Sequence, residues 1–141
     1  MNELNIEIKK KVFPLKTQNK QGINLIFKNL NFTIKKGQFV SFFGPSGCGK
    51  TTLLNIISGL DKNFDGWVKK YNQASDTSYM FQSPRLFPWL TAIENIKYPI
   101  KKKKNSEKIA NDLIKKVGLE KYKNEYPNRL SGGMQRRIAL A

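Results

Sequence analysis

A glycine-rich octapeptide, Gly-Pro-Ser-Gly-Cys-Gly-Lys-Thr at residues 44–51, constrains the fold of this chain more than any other feature. It fits the pattern G-x-x-x-x-G-K-S/T. The apolar run Phe39–Phe43 precedes it and suits a strand buried on both faces of a parallel sheet. Apolar residues at helical spacing follow it in Thr51–Ser58, and Gly59 is placed to end that helix. The order of strand, glycine-rich loop and helix predicts an α/β fold built around a phosphate-binding loop.

Each residue type in this loop has a chemical reason. Glycines let backbone N–H groups approach phosphate oxygens without a Cβ in the way, and the following helix N-terminus adds further donors. Lys50 is placed to reach the β- and γ-phosphates, and the Thr51 hydroxyl is placed to ligate Mg²⁺. We interpret Cys48 as a small side chain in a loop whose backbone binds the phosphates. Nucleophilic catalysis by Cys48 is disfavoured because the chain has no His to activate the thiol. Kinases, GTPases, helicases and transporter ATPases share such a loop, so it alone indicates only a nucleotide-binding enzyme.

Hydrophobic patterning predicts the remaining strands and helices. The predicted strands are Leu4–Phe13, Ile23–Phe27, Leu30–Ile34, Gly66–Tyr71 and Tyr79–Phe81, with a turn at Lys35-Lys36-Gly37. Ser106 is placed to cap a helix that ends at Gly118 and whose apolar stripe comprises Ile109, Leu113, Ile114 and Val117. Asp61, Asp65 and Glu94 stand in turn or helix-start contexts, where we expect caps or surface residues.

A second anion-binding helix N-terminus is predicted near the end of the sequence. In Leu130-Ser131-Gly132-Gly133-Met134-Gln135, a Ser and two Gly open a helix that starts near Gly133. Taken alone, this segment is also compatible with an ordinary Ser N-cap followed by flexible glycines. Its occurrence in one short chain with the phosphate loop favours a specific role.

Composition excludes several classes of chemistry. The chain has 141 residues and a formal net charge of +16, and 22 of its 26 cationic residues are Lys. Because Arg rather than Lys makes bidentate phosphate and base contacts, we interpret the charge chiefly as a Lys-rich bias, with an anionic partner as the alternative. A single Cys excludes an intrachain disulfide, and the absence of His excludes Ser–His and Cys–His pairs and His-ligated metals. We expect no signal peptide, and no apolar stretch approaches the ~20 residues that span a bilayer.

The phosphate loop together with LSGGMQRR at 130–137 resembles the nucleotide-binding subunit of an ABC transporter. The resemblance implies ATP and Mg²⁺ as cofactors, and a head-to-tail dimer in which the LSGG segment contacts the γ-phosphate held by the partner subunit. Met134 departs from the commonest form of that motif. The residues to which the resemblance assigns ATP binding are Phe13, Gly44, Pro45, Ser46, Gly47, Cys48, Gly49, Lys50, Thr51, Thr52, Ser131, Gly132 and Gly133.

Two further positions take their roles from this resemblance. The segment Tyr79-Met80-Phe81-Gln82 is similar to the family's Q-loop, which implies that Gln82 touches Mg²⁺ or the attacking water and couples to the membrane subunits. The resemblance therefore implies two catalytic residues, Lys50 and Gln82. It implies two metal ligands, Thr51 and Gln82. Phe13 matches the position where the family stacks an aromatic ring on adenine, and a core Phe is the alternative.

The segment Gln82–Ile96 is similar to importers of the nitrate, sulfonate and taurine group. Phe87 and Trp89, held by Pro84 and Pro88, form a stiff aromatic knob that either docks a partner helix or packs internally. The resemblance implies ATP-driven uptake of a small solute at the cytoplasmic face of the membrane. Its implied partners are permease subunits, a second ATP-binding subunit and, indirectly, a solute-binding protein; no nucleic acid is expected.

The resemblance also predicts a truncated domain. We expect residues 1–82 to form a β subdomain and the phosphate-loop core, and residues 83–141 to form part of a helical subdomain. The family's strand ending in Asp-Glu (the Walker B acid and the catalytic Glu) and its switch His do not occur in the sequence, so we expect the chain alone to be inactive. A non-functional truncated remnant and a nucleic-acid-associated ATPase of the same superfamily are the alternatives.

Overall fold

The computed structural model describes residues 3–17, 20–70 and 77–141, with side chains left out at 15–17, 20 and 21. Its contacts divide the chain into two units, Met1–Ser78 and Tyr79–Ala141, which are described in turn. The domain boundary predicted between residues 82 and 83 stays a prediction.

The first unit is built on an antiparallel sheet of three strands in the order β2-β1-β3. The strands are β1 (Glu3–Thr17), β2 (Lys20–Lys35) and β3 (Asp65–Lys69). Ile6 lies opposite Phe32 of β2 and Val68 of β3, and the alternation of apolar residues in β1 buries Ile6 and Ile8 completely. The strands predicted in these three regions are confirmed, with the two predicted segments at 23–34 joined in one strand. The strand predicted at Gly66–Tyr71 is observed as far as Lys69, and Tyr71 lies outside the described residues.

One helix, α1 (Lys50–Ser58), packs on this sheet. Leu53 and Ile56 are buried against Ile6 and Ile8, as the helical spacing of the apolar residues predicts. The helix ends at Gly59, which has φ 85° and donates its N–H to the Ile56 carbonyl at 3.0 Å. The predicted helix and its glycine C-cap are therefore confirmed.

The prediction of a buried strand at Phe39–Phe43 is wrong. These residues form no strand, and Phe39 and Phe43 are each 91% exposed. Only Phe42 turns inward, where its ring makes an edge contact with Phe32 at 5.8 Å between centroids. A parallel strand needs a neighbouring strand for its hydrogen bonds, and no described segment pairs with this run. The predicted strand at Tyr79–Phe81 is irregular as well.

The second unit is helical. It contains α2 (Ala92–Lys97), α3 (Ser106–Lys116) and α4 (Gly132–Leu140), with 3₁₀ turns at Tyr98–Ile100, Glu120–Tyr122 and Pro127–Arg129. The helices turn five small or branched residues inward: Ala92, Ile96, Ala110, Ile114 and Ile138. Leu119 and Leu130, which lie in the connecting segments, complete the buried core. Because this core is closed by residues of the unit itself, the three helices share one packed centre.

The helix starts in this unit agree with the sequence in two cases of three. Thr91 and Glu94 form a capping box at α2, so the expectation of a cap at Glu94 is confirmed. Ser131 caps α4 as predicted. The prediction that Ser106 caps α3 is wrong, since Ser106 is the first helical residue and Asn105 stands at the N-cap. The turn before α3 supplies the Lys103 carbonyl to the Ser106 N–H at 3.1 Å, which replaces a side-chain cap.

Candidate nucleotide site

The phosphate loop ends on strand β2. Gly49 has φ 99° at the N-cap of α1, and a Cβ there would lie 2.6 Å from Ile26 Cγ2 and 2.9 Å from Phe27 Cζ. Both the left-handed backbone and the close approach of β2 require glycine at this position. The chain thus turns tightly against β2 and presents residues 44–48, which are exposed, ahead of the first turn of α1.

Lys50 folds back across this loop. Its Nζ donates to the carbonyl oxygens of Gly44 at 2.8 Å and Pro45 at 2.7 Å, and lies 3.6 Å from Cys48 Sγ. The first turn of α1 contains no acidic residue that would neutralise the positive end of the helix. A lysine ammonium, a helix N-terminus and an exposed glycine backbone therefore converge on one concave loop, which is suited to phosphate oxygens.

Thr51 is exposed in the first turn of α1, directly after Lys50. Its hydroxyl is the kind of ligand that Mg²⁺ accepts beside waters and phosphate oxygens, so the residues present fit the ion. Among the residues that the structure describes, no three His, Cys, Asp or Glu side chains lie close enough together to hold a metal. Any Mg²⁺ bound here would therefore take most of its ligands from the nucleotide and water.

Phe13 lies on β1, opposite Asn24 of β2, and 41% of its surface is exposed. It is absent from the buried core of the first unit, so the alternative of a core Phe is not what the structure shows. Phe27 lies against Gly49 at the end of the phosphate loop. Asn24 lies three residues before Phe27 on β2, so the two residues are about 10 Å apart along the strand at about 3.3 Å per residue. Phe13 and the phosphate loop are thus placed along the same strand pair.

A buried lysine beside Phe13 was not foreseen from the sequence. Lys11 is 2% exposed, and its Nζ lies 2.7 Å from Asp61 Oδ2 and 2.6 Å from the Asn63 carbonyl. Burial by itself would raise the pKa of Asp61. The hydrogen bonds from Lys11 and from the Asn63 N–H, with the Lys11 charge, outweigh burial and lower that pKa. No local signal reveals a pair whose members are 50 positions apart, and only the turn at Asp61 was predictable.

The LSGG segment lies in the second unit, at the start of α4. Ser131 Oγ accepts from the Met134 N–H at 3.2 Å, and a Cβ at Gly132 would meet nothing within 4 Å. Gln135 Nε2 donates to the carbonyls of Pro127 at 2.8 Å and Leu130 at 3.1 Å, which ties α4 to the preceding turn. The exposed glycine backbone is therefore held by a fixed frame, and the framing role of Gln135 was missed from the sequence.

Gln82 is exposed in an irregular segment of the second unit. The residues around it are ordered by aromatic contacts: Tyr79 and Phe81 meet edge to face at 4.7 Å, and the Arg85 guanidinium lies 4.0 Å from the Phe81 ring centre. The predicted site residues thus fall into two groups. Phe13 and residues 44–52 belong to the first unit, and Gln82 and Ser131–Gly133 belong to the second.

The aromatic knob of the second unit is partly packed and partly open. The Phe87 ring is half-buried between Trp89 at 5.4 Å and Tyr98 at 4.7 Å, whereas Trp89 is 69% exposed. Asn95, whose role was not foreseen, accepts from the Phe87 N–H at 2.8 Å and donates to the Leu90 carbonyl at 3.0 Å. A groove of about 290 Å³ lies beside the knob, lined mainly by Tyr79, Phe81, Leu86, Phe87, Tyr98 and Ile138.

A glycine loop closed by its own lysine, at the start of a helix that packs on a sheet, defines a P-loop nucleotide-binding protein. The family model of the ABC transporter matches residues 27–141 of this chain. The chain therefore belongs to the ABC transporter family, whose ATP-binding subunits are ATPases, and the resemblance stated from the sequence is confirmed.

Curated relatives of this chain are import proteins. The chain is 41% identical to the aliphatic sulfonates import ATP-binding protein SsuB of Bacillus subtilis (strain 168), over 96% of this chain and 54% of that protein. It is 36% identical to SsuB 1 of Pseudomonas savastanoi pv. phaseolicola (strain 1448A / Race 6), over 98% of this chain and 54% of that protein. The chain thus spans about half the length of the curated relatives that it matches.

A solved structure agrees with this assignment. The ATP-binding cassette MJ0796, in a dimeric post-hydrolysis state bound to ADP and Pi, superposes with a TM-score of 0.80 at 36% identity. The match covers 97% of this chain and 67% of that chain. The predicted fold class, a P-loop NTPase of the ABC ATPase type, is confirmed. No described helix has the length and apolar character needed to cross a bilayer.

Proposed function

We propose that this chain is the ATP-binding component of an ABC import system that takes up a small sulfonate-type solute. The observation that carries the proposal is its identity of 36–41% to sulfonate import proteins over nearly all of its own length. Nitrate, taurine and similar small solutes belong to the same group. ATP binding and hydrolysis would supply the free energy for uptake, at the cytoplasmic face of the membrane.

In this proposal residues 44–52 cradle the phosphates of ATP. Lys50 exchanges its two carbonyl partners for β- and γ-phosphate oxygens, and the exposed backbone N–H groups of the loop donate to the remaining oxygens. Thr51 holds Mg²⁺, which neutralises phosphate charge when bound. The partly exposed Phe13 ring provides a stacking surface for adenine, where a base and an aromatic ring typically gain about 1–3 kcal/mol.

The second unit would serve a partner subunit. The open backbone of Gly132 and Gly133, with the Ser131 cap, is suited to the γ-phosphate held in the phosphate loop of a second ATP-binding subunit. MJ0796, which was solved as a dimer, supports association with a second subunit, and the head-to-tail arrangement is part of our proposal. Gln82 would act at the Mg²⁺ or at the attacking water as a further catalytic residue beside Lys50.

The exposed Trp89 and the groove beside it are suited to a helix of a permease subunit. Trp is well represented among residues that anchor protein interfaces, and Phe87, Tyr98 and Asn95 hold this ring on a firm base. We infer permease subunits as direct partners and a solute-binding protein as an indirect one. We infer no nucleic-acid partner, because only four of the 26 cationic residues are Arg, the residue type that makes bidentate phosphate and base contacts.

We further propose that the 141-residue chain alone binds Mg-ATP but turns it over slowly. None of its ten acidic residues follows an apolar strand in the way that would place a carboxylate against the attacking water. The chain would supply phosphate binding and positioning, and slow turnover would follow from the missing base.

The decisive experiment measures Mg-ATP binding by calorimetry for the wild-type chain, Lys50→Ala and a control, Lys36→Ala, whose side chain is exposed in the turn after β2. We expect Lys50→Ala to weaken binding at least tenfold and Lys36→Ala to leave it within about twofold, since only Lys50 meets the phosphates. Equal affinities for wild type and Lys50→Ala would contradict the nucleotide site. Robust ATP turnover by the wild-type chain, abolished by Lys50→Ala, would contradict the slow-turnover proposal alone.

A further inference from the structure

Lys11 is the one described lysine whose side chain is buried, at 2% exposure. A buried ammonium is costly unless its hydrogen bonds are satisfied, and here Asp61 Oδ2 at 2.7 Å and the Asn63 carbonyl at 2.6 Å accept them. Such a pair is seldom better for stability than an apolar residue of the same size. The position therefore calls for a reason beyond stability.

The third contact of Lys11 supplies that reason. Its Nζ lies 4.6 Å from the ring centre of Phe13, within the range of a cation–π contact. The ammonium is fixed by two oxygens while the ring remains 41% exposed, so one part of the ring rests on a fixed charge and the rest is open. The contact with Lys11 therefore limits the movement of the Phe13 ring and leaves its exposed part accessible to a ligand.

The strand is irregular where this arrangement begins. Even-numbered residues of β1, Ile6 and Ile8, are buried in the core, whereas the buried residue farther on is the odd-numbered Lys11. The pairing of β1 shifts between Ile8 and Lys10 against β3, and between Lys11 and Val12 against β2. Such bulges redirect side chains, and here they turn Lys11 inward and place Phe13 on the same side of the strand.

We propose that Lys11 is a positioning residue that holds the Phe13 ring in place for the nucleotide base. Its anchor, Asp61–Asn63, follows α1, the helix whose N-terminus carries the phosphate loop. The fixed ammonium thus ties the base platform on β1 to the far end of the helix that presents the phosphates. The proposal rests on the proposed stacking role of Phe13 and adds the residue that sets the geometry of the ring.

The test compares Lys11→Met with the conservative Lys11→Arg and with a control on the same strand, Lys10→Met, whose side chain is exposed. Dissociation constants are measured for Mg-ATP and for Mg-tripolyphosphate, which has the phosphates without the base. We expect Lys11→Met to weaken Mg-ATP binding about 3- to 10-fold and to leave tripolyphosphate binding unchanged. Lys11→Arg and Lys10→Met should each stay within about twofold of wild type for both ligands.

Phe13→Ala separates this inference from the proposed function. We expect Phe13→Ala to weaken Mg-ATP selectively, and Lys11→Met to add no further loss in that background, because Lys11 acts through the ring. If Lys11→Met fails to fold, Asp61→Asn, which loosens the anchor but keeps the lysine, should give the same selective loss.

Three results would overturn the inference. Equal losses for Mg-ATP and tripolyphosphate would show that Lys11 only maintains the fold. Selective loss in Phe13→Ala with none in Lys11→Met or Asp61→Asn would remove Lys11 from the base platform and leave the proposed role of Phe13 intact. Unchanged Mg-ATP binding in Phe13→Ala would refute the stacking role itself, and the Lys11 inference with it.

Discussion

Gly49 and Lys50 are adjacent in the chain and meet two different requirements of the phosphate loop. Gly49 lets the backbone turn in the left-handed region while β2 approaches to within van der Waals distance. Lys50 closes the loop by bonding to two of its carbonyls. Gly49 therefore sets the shape of the phosphate loop, and Lys50 supplies its positive charge.

Substitution of Gly49 by Ala should lower both stability and nucleotide affinity. A Cβ at 2.6 Å from Ile26 and 2.9 Å from Phe27 forces β2 or the loop to move, and the φ of 99° adds backbone strain. We expect a loss of about 2–4 kcal/mol in the free energy of unfolding, measured in urea.

Gly37→Ala is the matched control for this prediction. Gly37 also has a left-handed backbone, with φ 78°, but a Cβ there would meet nothing within 4 Å. Gly37→Ala should lower the free energy of unfolding only through the strain of a left-handed backbone, by about 1 kcal/mol. A loss for Gly49→Ala no larger than for Gly37→Ala would mean that the contact with β2 does not constrain the loop.

At the scale of elements, α2 shows how a short helix is held at its start. It has six residues, too few for a stable isolated helix, and its capping box joins Thr91 and Glu94 reciprocally. The Glu94 carboxylate accepts from the Thr91 N–H at 2.7 Å and from the hydroxyl at 2.8 Å, and these bonds lower the pKa of Glu94. The cap fixes the direction in which α2 leaves the segment that carries Trp89.

Thr91→Ala should therefore destabilise the second unit by about 1 kcal/mol, the usual cost of losing a side-chain N-cap. The control is Ser106→Ala at the first residue of α3, where the cap position is Asn105 and no side-chain cap bond forms. We expect it to change stability by less than about 0.5 kcal/mol. Urea unfolding followed by far-UV circular dichroism measures both; equal losses would show that the capping box adds nothing.

Local signals in the sequence predicted the elements that are stabilised locally. Gly59 ends α1, Ser131 begins α4, and the alternation at Ile6 and Ile8 marks β1. The prediction of a buried strand at Phe39–Phe43 is wrong because hydrophobicity reports the preference of a segment and not the presence of a neighbouring strand. Without a paired strand the same residues lie open to solvent.

The candidate site divides in the same way. The phosphate loop and the LSGG helix start were predictable because a few adjacent residues specify each. Lys11 and Asp61 were not, because only the folded sheet brings positions 50 residues apart together. Asn95 and Gln135 were missed for a related reason: each bonds to backbone carbonyls whose position depends on the packing of the helical unit.

At the scale of the whole molecule, the net charge is +16, so each carboxylate reduces the repulsion among the cationic side chains. Four of the ten acidic residues, Glu7, Asp61, Glu107 and Glu125, stand in ion pairs within the described structure. Asp61 is the one whose cationic partner is buried, so protonation of Asp61 leaves an uncompensated charge inside the first unit.

The free energy of unfolding should therefore fall at acid pH as Asp61 becomes protonated. Its pKa is lower in the folded chain than the value of about 3.9 expected when unfolded, so the stabilising effect is full above that value and is lost as the pH falls through the folded pKa. Asp61→Asn should be less stable than wild type at pH 7, and the difference should shrink steadily below about pH 4. Urea unfolding of both chains across this range checks it; a difference independent of pH would assign the effect to packing.

The hydrogen bonds that Lys50 makes within the phosphate loop have a kinetic consequence. Because Lys50 spans the loop through the carbonyls of Gly44 and Pro45, the curvature of the loop is held by bonds of the protein itself. Arrival of a phosphate is then an exchange, in which the ammonium gives up two neutral acceptors for charged ones and the backbone needs little ordering. Association should be fast and limited by release of the lysine, and differences in affinity among nucleotides should appear mainly in how quickly they leave.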